Sequence, residues 1–161
     1  MKKSVTAMLK ELRLFWKNYV LQSLFATLTV FIVLIFLSLQ NAVIIASIGA
    51  TAFIVFAMPK YITAKPRNVI GGHLIGLISG SLCDLIPHPF LWHSIALYAF
   101  AVGLSMFVMV VTDTEHPPAA ATALGFAISG FSLNTALALI SSIIVLSSVH
   151  HFFKRYLKDL T

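Results

Sequence analysis

The apolar positions of this chain come in long runs with few polar interruptions. Two runs, Tyr19 to Leu39 and Leu91 to Val111, reach the roughly 20 residues that a helix needs to cross a hydrocarbon core of about 30 Å. A third, Leu133 to Phe153, is as long but more polar, with Ser141, Ser142, Ser147, Ser148 and the pair His150 and His151. Three shorter segments lie between them: Ala42 to Ala57, Val69 to Ile86 and Pro117 to Phe131. The pattern predicts an all-α, polytopic transmembrane bundle of six hydrophobic segments, some of them short or broken helices. Ahead of the first run, Val5, Met8, Leu9, Leu12, Phe15, Trp16 and Tyr19 recur at three-to-four spacing among Lys10, Arg13 and Lys17, as in a helix lying in the membrane interface. Residues 1–18 therefore read as a basic amphipathic anchor, 19–153 as the transmembrane domain and 154–161 as a basic tail.

Composition removes the soluble alternative. Only 10% of the residues are charged, against roughly a quarter in globular domains. The charges fall in a few clusters, Lys2 to Lys17, Lys60 to Arg67, Asp113 to Glu115 and Lys154 to Asp159, with Asp84 alone between them. The net charge of +6 comes from residues flanking apolar runs, so it points to anionic lipid headgroups and not to nucleic acid. The single cysteine, Cys83, excludes an intrachain disulfide and a Cys-based zinc site. The first run is too long for a signal sequence and no small-residue cleavage site follows, so it is expected to remain as a span.

Positive-inside counting sets the expected topology. With the basic N-terminus in the cytoplasm and six crossings, the loop bearing Lys60, Lys65 and Arg67 returns there, as does the tail with Lys154, Arg155 and Lys158. The outer connections, around Gln40, Pro87 to Pro89 and Gly130 to Leu133, then carry no Lys or Arg. The expected location is the cell (inner) membrane, with both termini cytoplasmic. Gly49-Ala50-Thr51-Ala52 matches Ala120-Ala121-Thr122-Ala123, and the same offset lays residues 19–86 over 90–153. Two halves of three segments enter the membrane from opposite sides, the inverted-repeat plan of many transporters.

Candidate chemistry gathers at two motifs. In the stretch Thr112 to Ala123, a helix is expected to begin at about Pro117, capped by Thr114 or a neighbour, with nearly all-Ala first turns. In the matched half, a helix is expected from about Ser47 to Ala57. If both start near the midplane, their N-termini face each other and can hold a small anion between free N–H groups. The alternative is that Pro117, Pro118 and the alanines only permit a tight turn and close packing. The second motif runs from Lys65 through His73 to Gly80. Asn68 is placed to cap the following helix, and Gly72, Gly76 and Gly80 form one flat packing face for a neighbour in this chain or another subunit. His73 is a proton relay or ligand contact, or else bonds a carbonyl across that face.

The string Arg67-Asn68-Val69-Ile70-Gly71-Gly72-His73, with His116-Pro117-Pro118 and Gly49-Ala50-Thr51-Ala52, closely resembles the HPP family of integral membrane proteins over most of the chain after the anchor. The resemblance implies a membrane transporter, since plant plastid and cyanobacterial relatives are associated with nitrite transport. Family members often carry glycines after His-Pro-Pro, where this chain has Ala119 and Ala120, which narrows a backbone-lined site.

The expected function is transport of a small inorganic anion, nitrite first, with proton coupling. The substrate-binding candidates are Ser47, Gly49, Thr51, Asn68, His73, His116, Pro117, Pro118, Ala119 and Thr122, and the proton-coupling candidates are Asp113, Glu115, His116 and His73. Bringing one negative charge into a negative-inside cell opposes about 2.3 kcal/mol per 100 mV, so uptake against a gradient needs a second source of drive. A histidine-lined ammonia or proton channel, and a non-transporting subunit whose glycine face docks a partner, are the other readings. An enzyme is not expected: there is no Ser/Lys or paired-Asp arrangement within the spans, no nucleotide loop and no call for a cofactor or metal. A homo-oligomer is expected from the glycine face.

Overall fold

The first apolar run, as far as Phe36, lies within one long helix, α1 (Val5–Phe36), in the computed structural model, which describes residues 5–36 and 42–160. Phe15, at φ −120° and ψ 15°, kinks α1, so the expected interfacial segment and the expected span are parts of a single bent helix. Leu37 to Leu39 lie outside the described residues. Five further helices follow: α2 (Ala42–Ala57), α3 (Pro66–Asp84), α4 (Leu91–Val111), α5 (Pro118–Ser129) and α6 (Leu133–Phe153). A short 3-10 turn, Ile62–Ala64, precedes α3, and no strand occurs among the described residues. By length and composition, α4 and α6 are apolar and long enough to cross a membrane, whereas most of α2 and all of α5 form shorter apolar helices. Among the described residues there are thus six helices, but not six apolar helices of membrane-crossing length.

The central pair is α3 and α5, which run in the same direction. A Cβ built at Gly72 would meet His116 and Ala119, one at Gly76 would meet the Ala119 carbonyl, and one at Gly80 would meet the Ala123 carbonyl. The flat face expected of these glycines is therefore filled by α5 of the same chain. Close backbone approach is what small residues at a helix interface permit. α4 packs on one side of this pair; α2 and α6 lie on the other, with α1 against both. The apolar core between α2 and α6 includes Ile44, Ile48, Val55, Phe56, Leu139, Ile143 and Leu146, joined by Val69 and Phe126. The set of packed helix pairs is unchanged when α1, α2 and α3 are exchanged for α4, α5 and α6.

The ends of the bundle differ in charge. Arg67 pairs with Asp113 at 3.2 Å, and Lys60 N–H donates to Asp159. Leu160 N–H donates to the Ala57 carbonyl, and Gln22 bonds Lys158. These links bring Lys60, Lys65, Arg67, Lys154, Arg155 and Lys158 to one end. At the other, Asp84 accepts the Phe131 N–H.

Three expected helix starts need correction. α2 is already helical at Ala42, so Ser47 lies inside it and not at its N-terminus. α3 begins at Pro66, which can occupy the first turn because its missing N–H has no partner there; Asn68 is interior and caps nothing. α5 begins at Pro118 with no side-chain cap from Thr114. Instead Thr114 N–H bonds the Met109 carbonyl and Asp113 N–H the Val110 carbonyl, while Asp113 takes φ 54°. This is the Schellman closure of α4, with aspartate in the position that usually selects glycine. It turns the chain back into the bundle.

Candidate functional site

α5 spans about 18 Å against about 28 Å for α3. The difference is taken up by the non-helical stretch from Thr114 to Pro117, which descends between the helices and carries His116 to full burial. There it meets α2 and α3. Residues four apart on a helix share a face, so Ser47 and Thr51 point from α2 to the same place, and His73 faces them from α3. All of these, with Thr122, are buried.

The side chains form one continuous hydrogen-bonded chain. Thr51 Oγ1 lies 2.8 Å from His73 Nε2 and 3.0 Å from His116 Nε2, bridging two rings whose centroids are 5.0 Å apart. His73 Nδ1 reaches Thr122 Oγ1 at 2.8 Å, Thr122 reaches Ser47 Oγ at 2.8 Å, and Ser47 donates to the Pro118 carbonyl at 2.6 Å. At the opposite end His116 Nδ1 donates to the Thr63 carbonyl, 2.8 Å away in the 3-10 turn. Neither α2 nor α5 carries an ionisable side chain, so two imidazoles and three hydroxyls make up this polar core. Such a core is costly in an apolar bundle, and these groups offset the cost by meeting one another.

Of the residues expected to bind substrate, the fold brings together Ser47, Thr51, His73, His116, Thr122 and the carbonyl of Pro118. Ala119 packs beside them against Gly72 and Gly76, and Asn68 donates to the Glu115 carbonyl, fixing the descending loop. Gly49 is exposed with nothing near its missing Cβ, and Pro117 is exposed too, so neither faces the cluster. The proton-coupling candidates divide: His73 and His116 are in the core, while Asp113 is at the surface with Arg67 and Glu115 is half-buried in the loop. Thr63 was not foreseen; it acts through its carbonyl, which any residue type supplies, so no sequence signal marks it.

The expected pair of facing helix N-termini is absent. α2 and α5 run antiparallel: Ile44 packs at Gly125, and Thr51 at His116. Their N-termini therefore lie at opposite ends. At the start of α5, Pro117 and Pro118 have no N–H, and the amides of Ala119 and Ala120 already bond the carbonyls of His116 and Pro117. No free amide cradle remains there for an anion. Among the described residues, no three His, Cys, Asp or Glu side chains come together as a metal site.

Apolar helices packed on small residues around one buried polar chain define a helical membrane bundle, and comparison with known proteins agrees. Residues 12–157 match the family described as HPP, transmembrane region, and the chain belongs to that family. It is similar to two proteins of Dictyostelium discoideum, each named as a transmembrane protein. One is 39% identical over 88 residues, 55% of this chain and 31% of that protein. The other is 32% identical over 85 residues, 53% of this chain and 27% of that protein. The similarity thus spans less than a third of either relative. No solved structure matches the chain.

Proposed function

We propose that this protein is a membrane transporter for a small inorganic anion, nitrite first, and that its movement is coupled to protons. The observation that carries the reading is the buried chain from His116 through Thr51 and His73 to Thr122 and Ser47. Ionisable and polar groups inside a membrane bundle are expensive and mark solute or proton paths. The resemblance to relatives associated with nitrite transport supplies the substrate. Because α5 offers no free amides, the anion would take its hydrogen bonds from the Ser47, Thr51 and Thr122 hydroxyls and the imidazole N–H groups, replacing their bonds to one another.

Two features of the fold support the rest of this reading. The exchange symmetry of the helix pairs, with α2 and α5 antiparallel, fits two inverted three-helix repeats meeting at the polar core. The gathering of Lys and Arg at one end fits six crossings with both termini in the cytoplasm of a cell membrane. Self-association, where it occurs, must use a face other than Gly72 to Gly80; Gly103 on α4 is exposed and open. The absence of Lys and Arg from the polar core favours a second reading, a histidine-lined channel for ammonia or protons.

Nitrite flux into proteoliposomes, with His73→Gln and His116→Gln variants beside the wild type, tests the proposal. Acid outside is expected to stimulate nitrite entry and not ammonium entry, and each variant to reduce it at least tenfold. Absence of nitrite flux from folded wild-type protein sinks the anion reading, and acid-driven ammonium or proton flux in its place supports the channel.

A further inference from the structure

The polar core has more contacts than hydrogens. Six contacts run without a break from the Thr63 carbonyl through His116, Thr51, His73, Thr122 and Ser47 to the Pro118 carbonyl. Both ends are carbonyl oxygens, which only accept, so every contact needs a hydrogen from within the chain. With neutral rings there are five: one each on His116, Thr51, His73, Thr122 and Ser47. Thr51 also lies 2.9 Å from the Ser47 carbonyl, but that oxygen already accepts its helical amide and can be left unserved.

Geometry locates the shortfall. At 2.6 Å, the Ser47 hydroxyl and the Pro118 carbonyl are too close to lack a hydrogen between them. Ser47 therefore donates to Pro118, Thr122 to Ser47, His73 Nδ1 to Thr122, and Thr51 to His73 Nε2. At the other end His116 Nδ1 donates to Thr63. The contact left without a hydrogen is that between His116 Nε2 and Thr51 Oγ1, which at 3.0 Å is the longest of the six.

We propose that the core is a binding site for one exchangeable proton, taken up at His116 Nε2 and passed to His73 through the Thr51 hydroxyl. Uptake breaks an O–H bond of hydronium, releases water and forms the missing N–H, so that the imidazolium donates to Thr51 and all six contacts are filled. In the transfer, His116 Nε2 gives its proton to Thr51 Oγ1 while Thr51 gives its own to His73 Nε2. One N–H and one O–H bond break, one of each forms, and the charge crosses between the two rings. A second proton has no contact left to fill and would meet the first charge at close range.

His116 marks the end of the core nearer the basic end of the bundle, where it bonds the half-buried Thr63, whereas beyond Ser47 lie Ile44, Ile48 and Phe126, all buried and apolar. The ionisable groups on the elements around the core are few. α3 carries Arg67, Cys83 and Asp84 near its ends, the loop before α5 carries Asp113 and Glu115, and Lys60, Tyr61 and Lys65 flank the 3-10 turn. His150 is the buried ionisable group of α6, and its Nε2 is held by the Pro59 carbonyl.

Use of this proton as a coupling ion rests on the transport reading, but the site itself rests on the hydrogen bonds. The test is nitrogen-15 histidine NMR of the whole chain in lipid nanodiscs, titrated over roughly pH 3 to 8, because burial disfavours the charged imidazole. Expected is one added N–H shared by the His73 and His116 rings, with both sets of signals moving through a common step. In Thr51→Val that coupling is expected to vanish, leaving the two rings to titrate separately. In His116→Gln the step is expected to be lost. Two added N–H groups per chain, none at all, or unchanged coupling in folded Thr51→Val each overturn the proposal. A single shared step in protein that carries no nitrite would leave the proton site standing and remove the transport reading alone.

Discussion

Gly72 and His116 are locked together: a methyl group added at Gly72 would stand 2.7 Å from the His116 Cβ and 3.2 Å from the Thr114 carbonyl. The ring can sit between α2 and α3 only because α3 has no side chain there. Gly72→Ala is expected to force α3 and the descending loop apart at a cost of about 1–3 kcal/mol. It should also lengthen the contacts of His116 to Thr51 and Thr63. Thermal unfolding in detergent, with the His116 NMR signals as a local probe, checks both. A variant of wild-type stability and unmoved signals would mean that the two helices are less tightly apposed than the structure has them.

Thr51 bonds both rings, and its hydroxyl and its shape can be separated. Thr51→Val keeps the volume and takes the donor from the buried His73 Nε2, at a cost of about 1–3 kcal/mol for the group left unsatisfied. Thr51→Ser keeps the hydroxyl and should recover most of the loss. The expected stability order is therefore wild type, then Ser, then Val, measured by unfolding in a single detergent. Val equal to wild type would show that water or rotation repairs the gap.

How much of this was readable beforehand depends on what a signal acts through. The six apolar segments were legible because burial in lipid or core writes itself into composition, and their positions agree with the six helices. The glycine spacing of α3 was legible as a face, but nothing local says which neighbour fills it, and α5 does. The polar residues of the core were singled out because such groups are rare in apolar runs; their arrangement was not. Placing the start of α2 near Ser47 turned an interior position into an end, although Asn41, a residue type favoured at helix starts, immediately precedes Ala42 in the sequence. The amides at the start of α5 were counted as free, although two successive prolines and a tight first turn leave none. Thr63 contributes backbone alone and was invisible.

Asp113 holds a backbone conformation, φ 54°, that disfavours side chains by about 1–2 kcal/mol. What the aspartate adds is an exposed ion pair with Arg67, a kind of pair usually worth less than about 1 kcal/mol. Asp113→Gly is therefore expected to match or exceed wild-type stability. Asp113→Ala loses the pair and keeps the strain, so it should be the least stable of the three. Calorimetry or thermal unfolding of the set decides it, and an alanine variant as stable as glycine would show that the turn carries no strain.

Gln22 binds the tail to the bundle from the middle of α1. Its Nε2 donates to the Phe56 and Lys158 carbonyls, its Oε1 accepts the Lys158 N–H, and its side chain is buried. Tyr19 adds a longer bond to the Leu160 carbonyl, and Leu160 N–H closes on Ala57, so the tail covers the end of α2 six residues beyond Thr51. A side chain that pairs both backbone groups of one residue acts like a single rung of a sheet, and the Lys158 ammonium adds a second hold, 3.6 Å from the centroid of the Phe15 ring. Gln22→Ala is expected to loosen the tail and to leave the Phe56 carbonyl without a donor, since Pro59 has no N–H and the Lys60 N–H goes to Asp159, while the α3–α5 core stays in place. Hydrogen exchange at Lys158 and Leu160 should then quicken at least tenfold, while that at Ala123 and Phe126 stays unchanged. Equal protection in the variant would place the hold on Leu157, which is buried, and not on the glutamine.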